Sequence, residues 1–273
     1  MIKYSDMIKL TKGFFMDKKY ILNQANADIR QSSKNKVLKL FNDSKLLVRA
    51  MDLPQLIKYN NDLMYDFTVW AEEIDIAKND KLTCISSTLL VADEQIPTYK
   101  GLGFIINSEH AEIVHVADSD SGSKGNILYD NFSANKTNLH SLSDLADKTK
   151  KEHLYNMNEV NVNIGEDAII GLFINKSVSN RLIAFILMAQ EYYKMHTGIT
   201  LPIFVYDKNN GTLEALDISD QEKNDILNSE KQKNTIKSLT ICYESNDQFK
   251  QKTLCKDSQE SYIFLKHFER DDL

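Results

Sequence analysis

The chain has 273 residues, 42% of them apolar, with 33 basic against 39 acidic side chains and a formal charge of −6. That length fills one large domain or two small ones, and a globular composition of this kind excludes wholesale disorder. Nine glycines and three prolines exclude collagen-like, linker-rich and propeller architectures.

Only four of the basic residues are arginine: Arg30, Arg49, Arg181 and Arg270. An acidic chain with so few guanidinium forks is a poor reader of phosphates or base edges, so no nucleic acid partner is expected. No apolar run reaches the roughly 18 residues a spanning helix needs, so no integral membrane segment is expected. The start, Met1-Ile-Lys-Tyr-Ser-Asp, has no apolar stretch before a small-residue cleavage site and predicts no Sec signal peptide. Cys84, Cys242 and Cys255 are odd in number and irregular in spacing, which fits free thiols and neither a disulfide framework nor a zinc set. No cofactor is expected.

In chain order, residues 1–53 read as a helical N-terminal region, with a broken apolar face over Leu38, Leu40, Phe41, Leu46, Leu47 and Val48. After Pro54, the residues Leu56, Ile57, Leu63, Met64, Phe67, Trp70, Ile74 and Ile76 recur near the helical period and predict an amphipathic helix over 55–77. Thr83 is placed to cap a second helix over 84–93. Strands are expected at 103–107, 111–116 and 126–130. Glu112 and His110 are expected on one face of the second, with Ala111, Ile113 and His115 on the other.

Further on, Val160-Asn-Val-Asn-Ile alternates as a half-buried strand, and 168–174 is apolar enough to be central. Ser177 or Ser179 is placed to cap a helix that runs through Met195 and ends at Gly198. Strands follow at 202–207, after the Asn209-Asn-Gly turn at 212–216, and at 238–243. The sum is an α+β fold with its helices first. It divides into residues 1–53, a helix-plus-sheet core over 54–158, and an α/β part over 159–273 that belongs to the same domain or a separate one.

Three pieces carry the candidate chemistry. Thr83-Cys84 opens a predicted helix, His110 opens a strand, and Asp130 closes the next. Unpaired N–H groups at a helix start favour a thiolate. An imidazole can take the proton and return it to a leaving group, and a carboxylate on its far nitrogen fixes its orientation. The Cys84 N–H could donate to an oxyanion, with Asn79 as a second donor.

The runs 77–92, Glu109-His-Ala-Glu-Ile-Val and Ile127-Leu-Tyr-Asp-Asn-Phe together resemble the papain-like cysteine hydrolase superfamily. The layout is most similar to its compact bacterial effector proteases, glutamine deamidases and transglutaminase-like enzymes. The resemblance implies a papain-like fold in which the helical N-terminal part packs on a mostly antiparallel sheet, and a Cys84–His110–Asp130 triad. It also implies a host or target protein as substrate, and a bacterial protein delivered into a host cell without a Sec signal. Asp130-Asn-Phe stands where that family often has Asp-Pro-Trp, and Thr83 where it has Asn or Gly.

Other readings stay open beside it. A cysteine opening an apolar segment is commonly a small core hydrophobe, which gives a non-catalytic protein-binding module with Cys84 in the core. A third is the same fold with its activity lost. His115 is the rival base. His140, His153, His196 and His267 have no partner at ligand spacing, and no metal signature occurs. Gly101-Leu-Gly precedes a strand and lacks a third glycine, which excludes a dinucleotide fingerprint. The run 118–125 lacks the twelfth-position glutamate of a calcium loop and reads as a solvated loop.

Overall fold

The computed structural model describes residues 32–59, 62–79, 82–120, 139–176, 180–233, 239–245, 248–254 and 266–268. It is an α+β molecule built on a large, mostly antiparallel mixed sheet. Helix α1 (residues 32–42) buries Val37, Leu40 and Phe41. Strand β1 (Leu46–Ala50) follows, then β2 (Gln55–Tyr59), β3 (Asp62–Asp66), α2 (Thr68–Asn79), β4 (Leu82–Leu90), β5 (Leu102–Asn107) and β6 (Glu112–Ala117). The chain continues through α3 (Leu142–Glu152), β7 (Glu159–Ile164), β8 (Ile169–Asn175), α4 (Asn180–Thr197), β9 (Ile203–Asp207) and β10 (Thr212–Ala215). It closes with α5 (Asp220–Lys233), β11 (Leu239–Ser245), β12 (Gln248–Leu254) and β13 (Lys266–Phe268). Among the described residues, no helix is long and apolar enough to cross a membrane.

Eight strands form one sheet in the order β10-β9-β8-β5-β1-β4-β7-β6, and five form a second, β13-β12-β11-β3-β2. Among the described strands of the large sheet, only β8 and β9 run parallel, joined by the crossover helix α4, as a parallel pair requires. Strands from all three sequence segments, 1–53, 54–158 and 159–273, share this sheet, and β1 near the end of the first is one of its central strands.

Three expectations are corrected. Residues 1–53 are not helical to their end: Leu46, Leu47 and Val48 belong to strand β1, where pairing with β4 and β5 buries them in place of a helix face. The apolar pattern over 55–77 is not one helix: β2 and β3 pair antiparallel, with Tyr59 opposite Asp62, and only Thr68–Asn79 is helical. The backbone groups that a helix would pair within this segment pair instead across β2 and β3, so strand pairing overrides the helical spacing of the apolar residues. The segment expected as a helix over 84–93 is strand β4. Its run Ile85-Ser-Ser-Thr suits a pleated surface better than a helix. From Ser87 to Leu90 it is buried on both sides, which erases the alternation that would have marked it. The strands at 103–107, 111–116, 160–164 and 168–174, the 180–197 helix and the β9–β10 hairpin form as expected. Gly198, with φ +76°, ends α4. The strand expected at 126–130 lies outside the described residues, as do Ser177 and Ser179.

β4 belongs to two halves of the sheet. Its end, Thr88–Leu90, pairs with β1, while Leu82–Ser87 pairs with β7. Four strand spacings separate β5 from β6 in the sheet order, and four separate β7 from β8, about 19 Å if the sheet were flat. Each link is only five residue steps, Asn107 to Glu112 and Ile164 to Ile169, which reach about 17 Å even fully extended. The sheet therefore folds over on itself at β4. Leu47, Leu89, Phe104, Val160 and Val162 fill the core. Trp70 of α2 meets the Phe104 ring edge-on at 5.1 Å, which seats α2 against the sheet.

The β9–β10 turn is held by Asp207. Lys176 Nζ donates to its Oδ2 at 2.8 Å, Asn210 Nδ2 donates at 2.9 Å, and the Asn209 N–H donates to Oδ1 at 3.0 Å. The Lys176 hydrogen bond, ahead of the backbone and Asn210 donors, holds the Asp207 carboxyl below its ordinary value of 3.8. A depressed carboxyl stabilises the fold above its unfolded-state value and loses that contribution as pH falls through its folded value. The expected result is an Asp207 titration midpoint below 3.8 by carboxyl NMR. In Asp207→Asn, the acid arm of the unfolding profile should flatten, and an unchanged arm would refute the assignment.

Candidate functional site

β4 and β6 flank β7, and each carries an irregularity facing it. In β4, Leu82 pairs with Ile164 but Ile85 pairs with Val162, so Thr83 and Cys84 together oppose Asn163. In β6, Ile113 pairs with Val162 and His115 with Asn161, which leaves Val114 as the extra residue. A bulge shifts the alternation by one. Glu112 and His115 therefore share the face of Asn161 and Asn163, where simple alternation had put them on opposite faces.

Cys84 sits in the first bulge. Its thiol is exposed and its φ is +52°, a left-handed conformation that costs a residue with a Cβ about 1–2 kcal/mol. The Cys84 N–H donates to Asn163 Oδ1 at 2.8 Å, and Asn163 Nδ2 donates to Glu112 Oε2 at 2.9 Å. That relay pins the bulge to the two neighbouring strands.

Several sequence expectations change here. No helix begins at Cys84, so no helix dipole acts on its sulfur. Its amide is committed to Asn163 rather than open to an oxyanion. The exposure of the thiol also corrects the reading that buried Cys84 in the core. Asn79 is the last residue of α2.

His110 ends the short 3-10 turn Ser108–His110 between β5 and β6. Its Nδ1 lies 3.2 Å from Asp167 Oδ2. Asp167 belongs to the turn between β7 and β8, so the pair ties together the two links that cross the folded sheet. Both side chains are well exposed, at 50% and 75%. Among the described residues no hydrogen bond joins His110 to Cys84. By register, His110 is two residues before Glu112, which lies across β7 from the Cys84 bulge. Asp130, the expected third member, lies outside the described residues. Asp167 carried no sequence signal, because it stands in no motif.

Between β1, β4 and the start of β7, a cavity of about 250 Å³ opens beside Ser86, Thr88, Tyr99, Asp120, Met157 and Glu159. The local strand path is heavily fixed. Ser87 Oγ donates to Val160 O at 2.7 Å, and Asn158 bonds both the N–H and the C=O of Leu89, at 2.8 and 2.9 Å. Arg49 forks onto Glu73 of α2 at 2.6 Å and donates to Ser86 O at 3.0 Å. Glu159 and Asn161 are 5% and 2% exposed. The polar period-two stripe of Glu159-Val-Asn-Val-Asn was the signal that could have found this face.

The remaining candidates have local roles. His153 is the left-handed cap of α3 and lies 3.4 Å from Glu94. His140 donates its backbone N–H to Asp144, within the Ser141 cap of α3. Cys242 lies on β11 opposite Gln251, and Cys255 lies outside the described residues. Among the described residues, no group of three or more His, Cys, Asp or Glu could hold a metal ion. The chain matches no protein-family model, and no curated protein matches it.

Proposed function

We propose that the chain is a thiol-dependent hydrolase or acyl transferase with papain-like chemistry, acting on a peptide bond or carboxamide of a protein substrate. In this reading it is a bacterial effector delivered to its target cell. Cys84 is the nucleophile and His110 the base. Asp167 is the carboxylate that orients the ring, in the role the sequence gave to Asp130.

The observation that carries the reading is the backbone of Cys84. A strained left-handed residue, exposed and clamped by Asn163, is the kind of outlier from which a functional hypothesis runs. Nucleophiles elsewhere are presented on strained turns for the same reason: the reacting atom stands clear of the backbone. The His110–Asp167 pair, two residues along from the strand position facing the bulge, supplies the second and third groups.

The chemistry balances without a cofactor. The thiolate attacks the carbonyl carbon, a C–S bond forms, and the C–N bond breaks. The amine or ammonia then leaves with the proton held by His110. Water or a second amine attacks the thioester, gives its proton to His110 and releases the thiolate. His110 must approach Cys84 on substrate binding, since catalytic hydrogen bonds often tighten only in the complex.

The test is iodoacetamide labelling of Cys84 against pH, in a chain with Cys242 and Cys255 changed to serine. The expected result is labelling that persists well below the free-thiol value of about 8.5 and falls in His110→Ala and Asp167→Asn. Labelling that tracks an ordinary thiol and ignores both variants would overturn the catalytic reading and leave a protein-binding module.

A further inference from the structure

We infer that the side-chain carboxamide of Asn163 is a resting-state stand-in for the substrate's amide, held by the donor and acceptor that the substrate uses once it displaces it. The inference rests on the proposed role of Cys84 and names Glu112 as the residue of that same site that recognises the amide N–H.

The seat is filled by the protein's own group. The Cys84 N–H donates to Asn163 Oδ1 at 2.8 Å, and Asn163 Nδ2 donates to Glu112 Oε2 at 2.9 Å. Only one orientation of the carboxamide fits, because a backbone N–H donates and a carboxylate accepts. An amide thus already sits with its carbonyl on the nucleophile's own N–H and its NH₂ on a carboxylate. Cys84 and Glu112 are exposed and Asn163 is half-buried, so an incoming group can reach both from solvent.

Sulfur and nitrogen of Cys84 belong to one residue, so a carbonyl held on that N–H lies beside the thiol. The N–H of a nucleophilic residue is also where a developing oxyanion is stabilised. Exchange costs little at the outset, since a substrate amide replaces carbonyl by carbonyl and N–H by N–H. It gains as bonds change: the neutral Asn163 oxygen gives way to an oxyanion, whose charge-assisted bond is about twice as strong. The bulge stays pinned, because the Cys84 N–H exchanges one acceptor for another. The leaving nitrogen faces Glu112 at the start of β6, just after the His110 turn, on the side of the group that protonates it. An ester or a tertiary amide has no N–H for Glu112 and competes poorly with Asn163.

The test uses the full chain with Cys242 and Cys255 changed to serine, and mass spectrometry reads the modification at Cys84. Methyl methanethiosulfonate thiolates sulfur without an oxyanion, whereas p-nitrophenyl acetate acylates it through one. The ratio of the two rates therefore reads the Cys84 N–H separately from the thiol. Asn163→Ala should raise the acylation-to-thiolation ratio at least five-fold. Glu112→Ala, an exposed position away from Cys84, should raise it at least two-fold, with far-UV circular dichroism unchanged. Acetamide added to Asn163→Ala should fill the vacated seat and lower the ratio at least three-fold. N,N-dimethylacetamide, which lacks an N–H, should not, and acetamide should lose its effect in the Asn163→Ala, Glu112→Ala double variant.

An unchanged ratio in Glu112→Ala, or equal effects of the two amides, would overturn the inference. An activated thiol whose ratio ignores both variants would sink this inference and spare the catalytic reading. An ordinary thiol that acetamide still shields would sink the catalytic reading and leave the amide seat in place.

Discussion

Replacing Trp70 by alanine is expected to cost about 4 kcal/mol, within the usual range for a buried tryptophan. It is the only tryptophan in the chain and is 1% exposed. Its ring meets Phe104 at 5.1 Å and Phe67 at 6.0 Å, and its Nε1 donates to Asp52 O at 2.9 Å. The cavity left by alanine lies between α2 and the central strand β5, where neither wall can close it. Trp70→Phe keeps most of the volume but leaves the Asp52 carbonyl without its donor, for a loss of about 1–2 kcal/mol. Urea unfolding followed by far-UV circular dichroism reads both. A loss below about 2 kcal/mol in Trp70→Ala would mean that α2 is not seated as described.

Gly103→Ala is expected to be nearly as damaging, at about 3 kcal/mol, through overpacking of the backbone. Gly103 lies on β5 opposite Ala50 of β1. A Cβ built there would stand 1.9 Å from the Arg49 carbonyl oxygen, so the two strands would have to separate. Arg49 also holds β4 and α2 through Ser86 O and Glu73, which carries the disturbance towards the cavity beside Ser86. Gly198→Ala is the control: its added methyl meets nothing within 4 Å, so only the positive φ opposes it, at about 1 kcal/mol. Equal losses at the two positions would refute the steric account.

The legible parts of the sequence were those where one period dominated. Val160-Asn-Val-Asn-Ile alternates cleanly and is β7. The α4 helix and its Gly198 stop were also readable, because the capping chemistry is local. β4 was not: with both faces buried over Ser87–Leu90, apolar content carries no period to read. The two bulges were invisible as well. A single extra residue, Val114 or the Thr83–Cys84 pair, changes which side chains share a face without changing composition. That is why Glu112 and His115 were assigned opposite faces. Asp167 meets His110 only because the sheet folds, a property of the whole topology rather than of any segment.

The shared strand β4 also has a kinetic meaning. It cannot finish pairing until Val48, about forty residues earlier, and Asn161, about seventy-five residues later, have both arrived beside it. β5 waits similarly for β8, and β3 for β11. Among the described residues, β2–β3, β9–β10 and β11–β12 can zip up as short local hairpins, and β12–β13 pair across a longer link. Loop closure must be spent before those distant contacts return anything, so the chain belongs among the slow folders, in the millisecond-to-second range or beyond. During synthesis, the half of the sheet made by β1, β4 and β5 would stand with an open side until β7 and β8 leave the ribosome.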